Sequence, residues 1–266
     1  MLKIERLERI EKYVEKNKYA TVKELTEYLN TSSATIRRDI ETLAGQKRIL
    51  VTHGGVAAND RKVSAEAPYL EKSQNNMEEK GRIAKEACRF ITPGSTVLID
   101  SGTTTLSMVP YLKEIPDLNL VTNDVCMAAE LSNVSSSHVT VLGGSLRHGY
   151  YSVIGYYAEN MVSGMRVDMC IIGIDAVSLR NGLMISNLNE VGLKRSLIEA
   201  SNKVIVVCDH TKFTTESFVS VCGLDKVDVF ITGDEIDPDV LRALEKMGKN
   251  VRLAYREGLP GARKEE

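Results

Sequence analysis

The stretch Ser32–Gly45, SSATIRRDIETLAG, decides how the front of the chain folds. Wound at about 3.6 residues per turn, it sets Ile36, Ile40 and Leu43 on one side and Ala34, Arg38 and Glu41 on the other. Arg37, Thr35 and Thr42 lie on the flanks. Ser32 suits an N-cap, because its hydroxyl accepts from an orphan backbone N–H, and Gly45 suits a stop. The outcome is a short helix with one apolar stripe and an outer face of small residues beside two arginines. Taken alone, that pattern fits a helix lying in a groove of DNA and equally fits an ordinary amphipathic surface helix.

The flanking sequence separates the two readings. Ile4, Leu7, Ile10 and Val14 recur at spacings of three and four, which predicts a first helix ending near Asn17. Thr21 and Glu24 make a capping box that opens a second helix, with Val22, Leu25 and Leu29 facing inward. Asn30-Thr31 turns the chain into the helix already described. Three short helices with a tight turn between the second and third form a helix-turn-helix, whose third helix enters the major groove. Next, Arg48–Val56, RILVTHGGV, alternates loosely about Gly54-Gly55 and predicts a small β-hairpin, or wing. The DNA contacts expected from this layout are Thr35, Arg37 and Arg38, with Ser33 and Thr42 at the edges and Arg48 and His53 on the wing.

Composition sets the frame around that domain. The chain has 266 residues, 43% of them hydrophobic, and a net charge of −2. Residues 1–60 carry eleven Lys/Arg against nine Asp/Glu, a net +2, and the remainder is net −4. The asymmetry mildly favours nucleic acid at the front. Cys88, Cys126, Cys170, Cys208 and Cys222 are scattered without CxxC spacing, as reduced core thiols are. No signal peptide is evident, and no apolar run approaches the roughly 20 residues of a membrane span. A soluble, cytoplasmic protein without a membrane partner is expected.

Residues 58–76 are polar and mixed and read as a linker between a DNA-binding domain over 1–57 and a larger domain over 77–256. In the latter a helix over Met77–Phe90 precedes strand-like runs at Thr96–Asp100, Asn119–Thr122, Val139–Leu142, Met169–Gly173, Val204–Cys208, Val229–Thr232 and Asn250–Leu253. Several are continuously apolar, as strands buried on both faces are, so an α/β domain with a largely parallel sheet is expected.

Ligands of open α/β sheets bind at the carboxyl ends of strands. The first such end runs from Asp100 into Ser101, Gly102, Thr103, Thr104 and Thr105, then a helical stretch to Tyr111. Glycine admits close approach of an anion, hydroxyls donate to it, and a helix N-terminus adds N–H groups and a favourable dipole. These residues therefore suit a phosphate cradle; an N-capping turn without ligand fits them too. Other strand ends supply Asn123, Gly143, Gly144, Asp175 and Lys212. Carboxylates there would suit sugar hydroxyls, with Lys212 as countercharge. Glu190 and Lys194, four apart, could join the site or form an exposed helical ion pair. His53, His138, His148 and His210 are too dispersed to predict a metal cluster, and no cofactor is indicated. Tyr150, Tyr151, Tyr156 and Tyr157 read as packing or interface groups.

Nearly the full chain resembles the DeoR family of transcriptional regulators. The matching residues run in the family's order: ATIRRD at 34–39, THGG at 52–55, EEKGRIA at 78–84, LIDSGTTT at 98–105, VTND at 121–124, LGG at 142–144, IIGID at 171–175, LKR at 193–195 and DHTKF at 209–213. The resemblance implies a winged helix-turn-helix domain that binds double-stranded operator DNA, and an effector domain similar to ribose-5-phosphate isomerases and CoA transferases. It further implies a repressor, a phosphorylated sugar as effector and a homo-oligomer, dimer or tetramer. Family members often carry an arginine just before the HGG tip, where this chain has Val51-Thr52, which leaves Arg48 as the nearest basic residue. The rival reading is a sugar-phosphate isomerase or transferase-like enzyme with an accessory DNA-binding domain. The lysine and glycine run such isomerases carry before a catalytic glutamate is replaced here by Gly182–Glu190, GLMISNLNE. Asp175 is followed by Ala-Val-Ser in place of a second acid. Ring opening needs both an acid and a base, so catalysis is not expected.

Overall fold

In the N-terminal unit, side-chain caps and a left-handed turn set the boundaries of the helix-turn-helix. The computed structural model describes residues 2–46, 48–52, 55–58, 66–134 and 136–256, divided between two compact units, Met1–Lys62 and Val63–Glu266. The first runs α1 (Lys3–Asn17), β1 (Tyr19–Thr21), α2 (Val22–Leu29), α3 (Ser33–Gly45), β2 (Ile49–Thr52) and β3 (Gly55–Ala58). The Thr21 hydroxyl accepts from the Glu24 N–H at 3.1 Å while the Glu24 carboxylate accepts from the Thr21 N–H at 2.7 Å, closing the capping box. Asn30 turns the chain at φ 48, a left-handed conformation asparagine tolerates. The Ser32 hydroxyl then accepts from the Thr35 N–H at 3.3 Å and starts α3.

Ile36, Ile40 and Leu43 are buried against Leu7, Ile10, Val14, Leu25 and Leu29, with Ile49 and Val56 closing the core from the hairpin. β2 and β3 pair antiparallel, Thr52 opposite Gly55; the hairpin's tip, His53 and Gly54, lies outside the described residues. β1 completes the order β1-β3-β2. Three residues between two helices carry no readable period, so β1 has no sequence signature. Its approach explains Gly55, where a Cβ would lie 2.4 Å from the Ala20 carbonyl oxygen.

The second unit begins with a helix inside the stretch expected to be a linker. α4 (Tyr69–Gln74) and α5 (Met77–Cys88) lead into β4 (Thr96–Ile99), α6 (Thr103–Leu106), α7 (Val109–Leu112), β5 (Asn119–Thr122), α8 (Val125–Leu131) and β6 (His138–Val141). A short β7–β8 pair (Ser145–Leu146, Val153–Ile154) and α9 (Tyr156–Ser163) precede β9 (Met169–Gly173). Then come β10 (Ala176–Ser178), β11 (Gly182–Ile185), α10 (Val191–Glu199), β12 (Val204–Val207), β13 (Val219–Cys222), β14 (Val229–Gly233), α11 (Pro238–Lys246) and β15 (Asn250–Ala254).

The seven strands anticipated from their apolar runs form one sheet, ordered β15-β14-β12-β9-β4-β5-β6 and parallel throughout. Alternation sorts each strand's side chains between two layers. Val97, Ile99, Ile171, Ile205 and Ile231 meet Ile83, Leu112 and Met127 on one face. Leu98, Ile172, Val206 and Phe230 meet Val162, Leu193 and Leu197 on the other. The antiparallel sheet β10-β11-β13 was not anticipated; it caps the second layer through Val177, Leu183 and Val221. From β4 the chain steps outward to β5 and β6, then returns to the far side of β4 at β9 and continues the other way. That reversal makes the carboxyl ends of β4 and β9 a topological switch point, where open sheets leave a crevice.

Candidate functional site

Two surfaces carry the chemistry, one in each unit. On α3, Arg37 and Arg38 are exposed, and among the described residues neither guanidinium has a hydrogen-bond or ion-pair partner. Thr35 and Ser32 share a hydroxyl hydrogen bond of 2.9 Å, and Thr42 donates to the Arg38 carbonyl at 2.8 Å, so both threonines are partly committed to the helix. Ser33 is exposed at the first turn. Arg48 departs from expectation. Its Nε donates to Glu11 at 2.8 Å and a second nitrogen also reaches that carboxylate, so this fork is spent on α1.

The residue missed on α3 is Asp39, 1% exposed on the apolar stripe. Arg6 of α1 donates to both its oxygens, at 2.5 and 3.1 Å. A carboxylate at a stripe position demands such a partner, and that is the signal by which the sequence could have shown it. The pair pins the inner side of α3 and leaves the outer side to Arg37 and Arg38.

In the second unit the crevice between β4 and β9 is crossed by Lys194 from α10. Its ammonium, 7% exposed, pairs with Asp100 and donates to the Gly173 carbonyl at 2.9 Å. Burial alone would lower its pKa, but Asp100 and Glu190 outweigh it and the value is raised. Glu190 sits in the turn before α10, where burial raises its pKa against the opposing charges of Lys194 and Arg147. Lys194 and Glu190 are thus half of a buried network, not an exposed helical pair.

The Asp100–Thr105 loop is more self-contained than expected. The Ser101 N–H donates to Asn123 Oδ1 at 2.8 Å and its hydroxyl to Asp124 at 2.8 Å. Asn123 donates in turn to the Val153 carbonyl at 3.3 Å, and Thr105 to the Gly102 carbonyl at 2.9 Å. Ser101, Asn123 and Thr105 therefore build the loop. The Thr103 and Thr104 hydroxyls have no protein partner among the described residues, and the first N–H groups of α6 lack intrahelical acceptors. The helical stretch expected to reach Tyr111 divides into α6 and α7, so α6 is a single turn whose dipole is small. Gly143 and Gly144 lie beyond β5, at the end of β6, where the Gly143 N–H faces Met161 Sδ at 3.2 Å.

Asp175 is where the sequence reading missed most. Lys72 of α4 donates to Asp175 at 2.7 Å and to Glu66 at 2.6 Å, and the Ser186 N–H donates to the other Asp175 oxygen at 2.9 Å. Burial would raise the Asp175 pKa, but Lys72 above all, and Lys212, hold it well below the usual carboxylate range. Arg147 pairs with Glu66 and, at 2.8 Å, with Glu190, its guanidinium 3.7 Å above the Tyr150 ring. Tyr150 and Tyr151 pack on Tyr69, as packing groups would, while Tyr156 and Tyr157 are 73% and 72% exposed. Glu66 and Arg147 are 81 positions apart, so no local pattern could have joined them.

Lys212, partly buried, has no side-chain partner among the described residues, and its charge lowers the pKa of both Asp175 and Asp209. Burial pushes the nearby Lys80 ammonium down to about 8, with Asp209 opposing. His210, one of the four dispersed histidines, is brought beside Glu79 and Asp209, their ligand atoms within 4.8 Å of one another. Glu79 already accepts from the His210 N–H at 2.7 Å, its ring nitrogen at 2.8 Å and the Gly233 N–H at 3.2 Å, so no metal is assigned.

The Glu79 hydrogen bond, then its charge with those of Asp209 and Glu235, raise the His210 pKa above 6.5. The stabilisation from this pair is complete below pH 6.5 and is lost as pH rises through the folded value. The melting temperature of this unit is expected to fall across that window and His210→Gln to flatten the fall. An unchanged slope in the variant would assign the titration elsewhere.

The five cysteines are free, with Cys88, Cys170 and Cys208 buried. Among the described residues no helix is long and apolar enough to cross a membrane.

Comparison with known proteins places both units. Residues 6–62 match the DeoR-like helix-turn-helix domain and residues 75–234 the DeoR C terminal sensor domain. The HTH-type transcriptional regulator GlpR of Haloferax volcanii is 33% identical over 94% of this chain and 98% of its own. The glycerol-3-phosphate regulon repressor of Escherichia coli K12 is 33% identical over 87% and 91%. The putative aga operon transcriptional repressor of Escherichia coli O157:H7 is 31% identical over 94% and 93%. A D-ribose-5-phosphate isomerase structure aligns at 20% identity and TM-score 0.39, covering 53% of this chain and 55% of that one, and no chemistry follows from it. With both domain matches in chain order and relatives aligned over nearly the whole length, the chain belongs to the DeoR family of transcriptional regulators.

Proposed function

We propose that the chain represses a carbohydrate-metabolism operon and that a phosphorylated sugar modulates its hold on operator DNA. The observation that carries the first half is the outer face of α3: two exposed arginines, without a partner among the described residues, on a helix whose inner face is fixed by Ile36, Ile40, Leu43 and the Arg6–Asp39 pair. Arg37 and Arg38 make the main contacts, with Ser33, Thr35 and Thr42 beside them. Arg48, held on Glu11, drops out of the set, and His53 at the wing tip stays in it as a sequence expectation. A homo-oligomer would present two such helices to two half-sites.

The second half is supported by the switch-point crevice. Thr103, Thr104 and the α6 N–H groups face a phosphate, while Asp175 and Lys212 address the remainder of the sugar. The named relatives fit this reading, one being a glycerol-3-phosphate regulon repressor. No catalytic role is assigned, because among the described residues Asp175 is tied to Lys72 and Asp100 to Lys194.

The test is a titration of full-length protein against labelled DNA from upstream of its own gene, with and without phosphorylated sugars. Salt is held fixed, since phosphate contacts make affinity salt-dependent. Arg38→Ala is expected to cost about 1–3 kcal/mol of operator binding while leaving sugar-phosphate binding intact. Wild-type protein that binds no DNA specifically and turns over a sugar phosphate would establish the enzyme reading instead.

A further inference from the structure

Glu66 belongs to the stretch that leads out of the DNA-binding unit, yet its carboxylate lies on Arg147. Two guanidinium nitrogens of Arg147 face it, one at 3.4 Å and the other closer, while Glu190 takes a separate contact at 2.8 Å. Arg147 is 12% exposed and stacked on Tyr150, so its fork has a fixed aim. A planar fork that accepts a carboxylate with two parallel N–H groups accepts a phosphate the same way.

Arg147 also stands next to the phosphate cradle. Its backbone N–H donates to the Ser152 carbonyl at 2.9 Å, Ser152 lies opposite Asp124 in an antiparallel backbone pairing, and the Asp124 side chain accepts from the Ser101 hydroxyl at 2.8 Å. Lys194 is committed to Asp100 and Lys72 to Asp175. Arg147 instead pairs with Glu66, which Lys72 also holds at 2.6 Å, while Lys212, without a side-chain partner among the described residues, acts on Asp175 and Asp209.

We propose that Arg147 receives the phosphate of the effector, and that Glu66 is its built-in substitute, which the phosphate displaces. This rests on the reading of the crevice as the effector site. Lys72 remains on Asp175 when Glu66 leaves, so the exchange swaps one anion for another. Glu66 and the 2.7 Å bond from Tyr150 to the Ala67 carbonyl are neighbouring ties on this segment, so displacing Glu66 removes one of them and loosens residues 66–76. Occupancy of the crevice is thereby reported along the chain itself.

The test uses full-length protein and inorganic phosphate as probe, against chloride at matched ionic strength. Phosphate binding is followed by calorimetry and the segment by amide hydrogen exchange over residues 66–76. Wild-type protein is expected to lose protection there as phosphate saturates. Removing the competing charge with Glu66→Gln is expected to lower the half-saturating phosphate by about tenfold, as for a site freed of an occupied competing state. Arg147→Lys, which keeps charge but loses the fork, is expected to lose the response; melting curves confirm that both variants fold. Equal or weaker phosphate binding in Glu66→Gln, a wild-type response in Arg147→Lys, or no phosphate uptake by wild type would each overturn the assignment. The regulator reading fails separately, if the DNA titration shows no specific binding.

Discussion

Lys194→Met is expected to destabilise the sensor unit by about 3–5 kcal/mol, the cost of stranding a buried charge. Asp100, 2% exposed, has Lys194 as its ion-pair partner, and methionine fills the aliphatic volume without supplying a proton donor. The Gly173 carbonyl also loses its 2.9 Å donor. Adding Asp100→Asn should recover much of the loss, because the stranded charge goes with it; replacing both members of a buried pair often costs little. Urea unfolding of the single and double variants checks this. A single variant within 1 kcal/mol of wild type would mean that water reaches Asp100 and the crevice is wetter than its exposure indicates.

Arg6→Ala should have the largest effect in the other unit, about 3 kcal/mol, for the same reason. Asp39 keeps 2% of its side chain exposed and loses both donors at once. A unit of this size has little stability in reserve, so operator binding should be lost although Arg6 is absent from the outer face of α3. Thermal unfolding should show an early transition for this unit with the sensor transition unmoved. Restored stability in Arg6→Met combined with Asp39→Leu would assign the loss to the unpaired carboxylate. Full stability in Arg6→Ala would show that the pair contributes nothing.

Both sites turn on buried ion pairs, and these divide what the sequence reveals from what it hides. Helix periods, the Thr21–Glu24 capping box and seven apolar strands are local signals, and the structure carries each of them within one or two residues. Asp100, Asp175 and Lys194 were legible as chemistry because they follow strands or fall on a helix beside one. Their partners were not. Glu66 and Lys72 stand in a polar stretch that resembles a linker, and what orders them is contact with Arg147 and Asp175, 81 and 103 positions away. Ser101 and Asn123 follow strands as the sequence places them, and the structure adds their bonds to Asp124 and the Val153 carbonyl, because residue type shows that a group can donate or accept but not to whom. Arg48 shows the same limit: a basic residue before a wing suits DNA until Glu11 claims it.

The sheet order also governs how the chain acquires its structure over time. β4 pairs with β5 on one side and with β9, some seventy residues later, on the other. During synthesis the strands β4, β5 and β6 can assemble early, but one edge of β4 stays open until Met169–Gly173 is made. The N-terminal unit, built from neighbouring helices and a hairpin, has no such wait. Local contacts form fast and parallel pairings across long loops form slowly. Residues able to grip an operator are therefore complete well before the domain that regulates them.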